Sequence, residues 1–104
     1  MDLAAFRASL SDPAPPDGLS GALAALWWDA HGDWDRAHQA AQADETAAGS
    51  AVHAYLHRKE PDPANARYWY ARAGRAPSEA PLEAEWAALA DELLNAETRN
   101  GGNQ

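Results

Sequence analysis

The sequence contains no cysteine, so it offers no disulfide bond, no thiol nucleophile and no cysteine-based zinc site. No apolar run approaches the ~20 residues that span a bilayer, so no membrane helix is predicted. Valine, isoleucine and threonine, which favour strands, are scarce, while alanine, the best helix former, is the commonest residue. The first residues do not resemble a secretory signal. We therefore expect an all-α cytoplasmic protein.

The formal net charge is −8, and it is unevenly distributed. Residues 58–75 carry an excess of arginine and lysine, while the segments before and after them are acidic. The total disfavours nucleic-acid binding, because affinity for phosphate depends on accumulated positive charge. The basic segment either pairs with its acidic flanks or holds an anion, and pairing is the favoured interpretation.

Apolar spacing and capping residues predict five or six helices in a single domain over residues 1–98. Asp33 and Asp62 each open the second helix of a predicted helical hairpin. Gly32 and Gly74 are expected to end helices in the left-handed conformation. In chain order, we predict a short N-terminal helix, hairpins at about 19–43 and 45–74, a capping helix at about 79–97 and a disordered tail at 99–104.

The two hairpins form an internal repeat. Residues 32–37, GDWDRA, superpose on residues 61–66, PDPANA, so that the aspartate cap and an inward-facing alanine recur. GDWDRA resembles the turn of tetratricopeptide (TPR) repeats, and ANARYWYARAG resembles the second helix of Sel1-like repeats. The segment HAYLHRKE…NARYWY is also similar to one in a family of small bacterial proteins, a likeness that implies no activity. The repeat resemblance implies a scaffold that binds a protein or peptide.

The repeat also predicts a partner-binding groove. Trp28 and His31 of the first hairpin superpose on His57 and Glu60 of the second. If the first helices of both hairpins line one concave face, a shallow groove with an aromatic wall results, which suits a peptide or a small acidic ligand. The alternative is that Trp28 and His57 pack between the hairpins. The candidate groove residues are Trp28, His31, His53, His57, Arg58 and Glu60.

His53 and His57 are one helical turn apart, which is the spacing of two imidazoles that share one metal ion. Glu60 lies ~10.5 Å from His53 along the helix axis and is too far away to join them. Neither a zinc-protease glutamate nor a phosphate loop is present, so a structural role for the histidines is favoured and no cofactor is predicted. Metal binding at His53 and His57 is the alternative. Its candidate third ligands are His31, His38 and Asp29.

These patterns together predict a small, non-enzymatic interaction module that binds a protein or peptide segment. The alternative is a ligand- or metal-binding protein, or an enzyme, centred on His53 and His57. A homodimer is a further expectation, because an apolar seam on the last helix would need to be covered if it were exposed. The seam consists of Leu82, Trp86, Leu89 and Leu93.

Overall fold

The computed structural model describes the backbone of residues 1–102 and the side chains of residues 1–97. Within residues 1–102 the chain is all-helical and has no strand, which confirms the predicted fold class. The elements are α1 (Leu3–Ala8), a 3₁₀ turn (Ser9–Ser11), α2 (Gly21–Ala30), α3 (Trp34–Ala43), α4 (Ala47–Lys59), α5 (Pro63–Ala73) and α6 (Leu82–Gly102). No described helix is both long enough and apolar enough to cross a lipid bilayer.

Side chains that accept hydrogen bonds from the backbone set where several helices begin. Asp33 accepts from the N–H of Arg36, and Asp62 accepts from the N–H of Asn65, as the repeat predicts. Thr46 caps α4 in the same way. Gly74 ends α5 with a φ of 72°, in the left-handed region that favours glycine.

The last helix differs from its predicted bounds at both ends. It begins at Leu82 instead of residue 79, and residues 75–79 form no helix. Pro81 directly precedes the first turn, and a proline disfavours helical backbone angles in the residue before it. It continues to Gly102, beyond the predicted end at residue 97. The side chains of the tail predicted at 99–104 lie outside the described residues. The backbone of residues 103 and 104 lies outside them as well.

The helices pack in sequential pairs. α2 lies mainly against α3, and α4 mainly against α5, while α3 also contacts α4. Ala37 and Ala66, the recurring small residues of the two hairpins, are both buried at helix contacts. Membership in a TPR or Sel1-like repeat family stays a prediction.

The main core lies between α2, α4 and α6, and α1 closes one end of it. Its largest fully buried side chains are Trp27, Phe6, Leu23, Leu26, Leu56 and Val52. The α6 seam faces this core: Trp86 and Leu89 are buried, and the Trp86 indole N–H donates to the carbonyl of Leu26 at 2.9 Å. The seam is therefore covered within the chain, so it no longer argues for the predicted homodimer.

Candidate metal centre

Three imidazole rings meet where α3 packs against α4. His53 and His57 are four residues apart and share one face of α4. His38 reaches them from α3, and its Nε2 atom lies 2.9 Å from Nε2 of His53. One ring nitrogen from each of the three histidines lies within 4.8 Å of the other two. The structure thus places His38, and neither His31 nor Asp29, beside the predicted pair.

Two tryptophans enclose this imidazole cluster of His38, His53 and His57. The ring of Trp34 stacks on His38 with the centroids 4.9 Å apart, and Trp69 of α5 stacks on His53 at 3.9 Å. His53 and His57 are only 3% and 6% exposed, whereas His38 is half-buried. The rings are thereby held in place, and solvent can approach the cluster at His38.

The first turn of α3 explains how His38 is positioned. Trp34 and His38 are four residues apart, so their rings lie one above the other on the same face of α3. The indole N–H of Trp34 donates to the carbonyl of Leu56 on α4 at 3.0 Å. This bond ties α3 to α4 next to the cluster and fixes the ring on which His38 stacks.

The hydrogen bond between His38 and His53 constrains their protons. Two Nε2 atoms can bond only if one carries the proton and the other accepts it. Nδ1 of His53 is buried and makes no hydrogen bond within the part of the chain whose side chains are described. Because a buried acceptor without a partner is tolerated better than a buried N–H without one, we assign the proton to Nε2 of His53. The unprotonated Nε2 of His38 then accepts the hydrogen bond from His53.

Glu60 orients the third imidazole. Its Oε1 lies 2.9 Å from Nδ1 of His57, so Nδ1–H donates to the carboxylate and Nε2 is the ring nitrogen left for a metal ion. Glu60 thus contacts His57 from outside the imidazole cluster. Asp62, which lies close to both His57 and Glu60, is engaged in capping α5.

Burial keeps the imidazoles of His38 and His53 neutral. Loss of contact with water lowers the pKa of His53 to about 4, and repulsion from His38 and His57 adds to this effect. The pKa of His38 is also lowered, first by burial and then by His57. At neutral pH His38 and His53 therefore keep their lone pairs, which is the form that binds a metal ion.

The remaining predicted groove residues lie elsewhere. Nε2 of His31 is 2.6 Å from the carbonyl of Leu10, and the His31 ring stacks on Trp27. Trp28 lies beneath the guanidinium of Arg36, which is 4.6 Å from its ring centroid.

Arg58 turns towards α6 and forms an ion pair with Glu85 at 2.8 Å. Among the side chains that the structure describes, no hydrogen bond or ring contact joins Trp28, His31 or Arg58 to the imidazole cluster. The six predicted residues are therefore divided among three places in the fold.

Sequence reasoning did not single out Trp69 as part of the site. Trp69 shares its helical face with Ala66 and Ala73, a spacing that is typical of a core residue. In the structure Trp69 is half-buried, and its ring covers His53. The spacing of Trp34 and His38 was a usable signal for the third histidine, whereas the Trp69 contact depends on how α5 packs against α4.

Comparison of the chain with models of protein families, with curated proteins and with solved structures gives no match.

Proposed function

We propose that this protein binds a divalent transition-metal ion of the zinc class through His38, His53 and His57. The observation that carries the proposal is the convergence of three ring nitrogens within 4.8 Å of one another, two of them 2.9 Å apart. A histidine that only fills space in the core has no need of two other imidazoles beside it. A metal ion does need several imidazoles at one point, because each of them supplies one lone pair.

The spacing between two of the three nitrogens, those of His38 and His53, is close to that of a loaded site, and one ring nitrogen of His57 lies within 4.8 Å of both. Zinc–nitrogen bonds of about 2.0–2.1 Å in a tetrahedral site place neighbouring ligand nitrogens ~3.3 Å apart. Nε2 of His38 and Nε2 of His53, at 2.9 Å, would therefore separate by only ~0.4 Å. The ion takes the place of the proton that the two rings share in the metal-free protein. A water molecule is the expected fourth ligand, on the half-buried side at His38.

The donor set selects the class of metal. All three ligands are imidazoles, which suit zinc, copper, nickel and iron, whereas calcium and magnesium require oxygen ligands. The Glu60 carboxylate on Nδ1 of His57 supplies the outer contact that metal-bound histidines commonly have. Nδ1 of His53 has no such partner and would have to carry the displaced proton. We therefore expect weaker binding than in a site where every imidazole has an outer partner.

The ion would connect the two hairpins. His38 belongs to α3 of the first hairpin, while His53 and His57 belong to α4 of the second. Binding to the folded chain alone stabilises it by mass action, by about 2.7 kcal/mol at a free-ion concentration of 100 Kd. The separation of Trp28 and His31 from the cluster removes support from the predicted peptide groove, so we favour metal binding over the peptide-binding module.

The test is a titration of the EDTA-treated protein with Zn²⁺, followed by calorimetry and by the thermal unfolding midpoint. We expect one ion per chain and an increase in Tm of about 10 °C at 100 Kd. Co²⁺ should give the visible absorption of a four-coordinate site. The variants His38→Ala and His57→Ala should each lose most of the binding.

His31→Ala is the matched control, because it removes the fourth histidine of the chain and leaves the cluster intact. Circular dichroism establishes that each variant is folded before titration. Zinc binding that is equally weak in wild type and in His38→Ala would refute the proposal. Equal losses in His31→Ala and His38→Ala would show that the ion binds elsewhere.

A further inference from the structure

A cleft opens on the side of α4 that faces away from the imidazole cluster. Tyr55 and Lys59 project into it, and at ~100° per residue they lie opposite His53 and His57 on the helix. The cleft has a volume of about 880 Å³ and lies between α1, α2, the end of α4 and the start of α6. Its apolar lining is formed by Leu10, Ala30, Pro81, Leu82 and Trp86.

A buried carboxylate positions one cation of the cleft. Asp29 is 5% exposed, and its Oδ1 accepts from Nζ of Lys59 at 2.9 Å. Its Oδ2 accepts from the hydroxyl of Tyr55 at 2.7 Å. Burial and this bond raise the pKa of Tyr55, so that its hydroxyl keeps the proton that it donates.

Each oxygen of Asp29 therefore already accepts one hydrogen bond from the protein. The ammonium of Lys59 uses one of its three N–H groups on Asp29 and has no other partner among the described side chains. The two remaining N–H groups are available to a ligand, and Asp29 holds them at the wall of the cleft.

Arg7 supplies a second cation. Its guanidinium lies 5.5 Å from the centroid of the Trp86 ring, which forms part of the cleft wall. It makes no ion pair with any residue whose side chain the structure describes. Arg7 is thus the unpaired cation of the cleft, whereas the charge of Lys59 is balanced by Asp29, and its two free N–H groups add donors beside the guanidinium. Glu83, at the same cleft, is exposed and makes no ion pair either, and it disfavours ligands with more than one negative charge.

We infer that this cleft binds a small organic monocarboxylate with an apolar body. The carboxylate would lie between Arg7 and Lys59, and the body would cover Trp86, Leu82 and Leu10. The volume is within the range of about 300–1,000 Å³ that is typical of small-molecule sites. An inorganic anion would leave the apolar wall uncovered, and a neutral apolar ligand would leave the Arg7 guanidinium unpaired, since only Lys59 has a partner in Asp29. The inference does not depend on the metal site, because the two regions share no residue.

The experiment titrates the full-length protein with octanoate and, separately, with the neutral octanamide. Chemical shifts of the backbone amides are followed by ¹H–¹⁵N correlation spectroscopy. We expect saturable shifts at residues around the cleft and about tenfold tighter binding of octanoate than of octanamide, since a hydrogen bond to a charged group contributes that much. Arg7→Gln should remove most of this difference.

Arg36→Gln is the matched control, because Arg36 also lies over a tryptophan but outside the cleft. Arg7 is exposed, so its replacement leaves the fold intact, whereas Lys59→Gln also removes the partner of Asp29 and is a supporting variant only. Equal binding of octanoate and octanamide would overturn the inference. An octanoate affinity that Arg7→Gln and Arg36→Gln change to the same extent would overturn it as well.

Discussion

The ring of His53 stacks on the ring of Trp69 with the centroids 3.9 Å apart and the planes inclined by 16°. On its edge, His53 bonds to His38 through Nε2. The imidazole is therefore fixed by a contact on its face and another on its edge, and it is almost completely removed from water. These contacts give the metal-free protein a definite dependence on pH.

We expect the metal-free protein to lose stability as the pH falls from about 6.5 to about 4. The pKa of His53 drops from the ordinary histidine value of 6.5 to about 4 in the folded chain, so the unfolded chain binds more protons in this interval. The free energy of unfolding then falls with decreasing pH, by on the order of 3 kcal/mol in total. Above pH 7 this group contributes no pH dependence. Urea unfolding in EDTA, followed by tryptophan fluorescence, measures the change.

His53→Phe is the informative variant for this prediction, because phenylalanine keeps a ring against Trp69 but cannot be protonated. The slope of stability against pH should become smaller in His53→Phe and should persist in His31→Gln. A slope that His53→Phe leaves unchanged would show that other groups cause it.

Glu60→Gln should weaken zinc binding about 10- to 100-fold without unfolding the protein. The neutral amide can still accept a hydrogen bond from Nδ1 of His57, but it no longer increases the basicity of that imidazole. Glu60 is exposed, so the substitution adds no buried polar group. Competition with a chelating dye measures the affinity.

Glu79→Gln is the control for Glu60→Gln, since Glu79 is also exposed and has the same change of charge. A similar loss of affinity in both variants would indicate a general electrostatic effect of the net charge. A loss confined to Glu60→Gln would identify the contact with His57 as the cause.

Gly49→Ala should destabilise the fold by about 3 kcal/mol, although alanine favours helices. A Cβ atom at Gly49 would lie 1.9 Å from the backbone oxygen of Asp44, which cannot move aside as a flexible side chain would. Gly21→Ala is the graded comparison, because its Cβ would meet Asp44 Cβ at 2.8 Å. We expect a smaller loss there. Thermal unfolding of the two variants tests the order, and a Gly49→Ala protein as stable as wild type would contradict it.

Local features of the fold were predictable because they depend on neighbours in the sequence. Asp33 and Asp62 cap their helices through backbone groups three residues away, and Gly74 takes a conformation that few other residues adopt. The pairing of His53 with His57 follows from helical spacing alone. Gly49, a poor helix former in the first turn of α4, allows Asp44 to approach closely in the structure.

Contacts between helices were not predictable from spacing. His38 was one of three candidate ligands, and only the packing of α3 on α4 selects it over His31. The bond between Asp29 and Lys59 joins α2 to α4 and was not predicted, because helix spacing does not determine crossing angles. The candidate site was thus half predictable: its α4 residues follow from the sequence, and its partners follow from the packing.

Arg58→Met should cost about 3 kcal/mol of stability, because it leaves the buried carboxylate of Glu85 without its cation. Glu85 is 7% exposed and pairs with Arg58 at 2.8 Å, while the Tyr70 hydroxyl donates to its other oxygen. Arg36→Met is the control: its ion pair with Asp33 is solvent-exposed, so the expected loss is about 0.5 kcal/mol. Urea unfolding at pH 7 measures both. Equal losses would contradict this expectation and would mean that the bond from Tyr70 suffices to keep the Glu85 carboxylate buried.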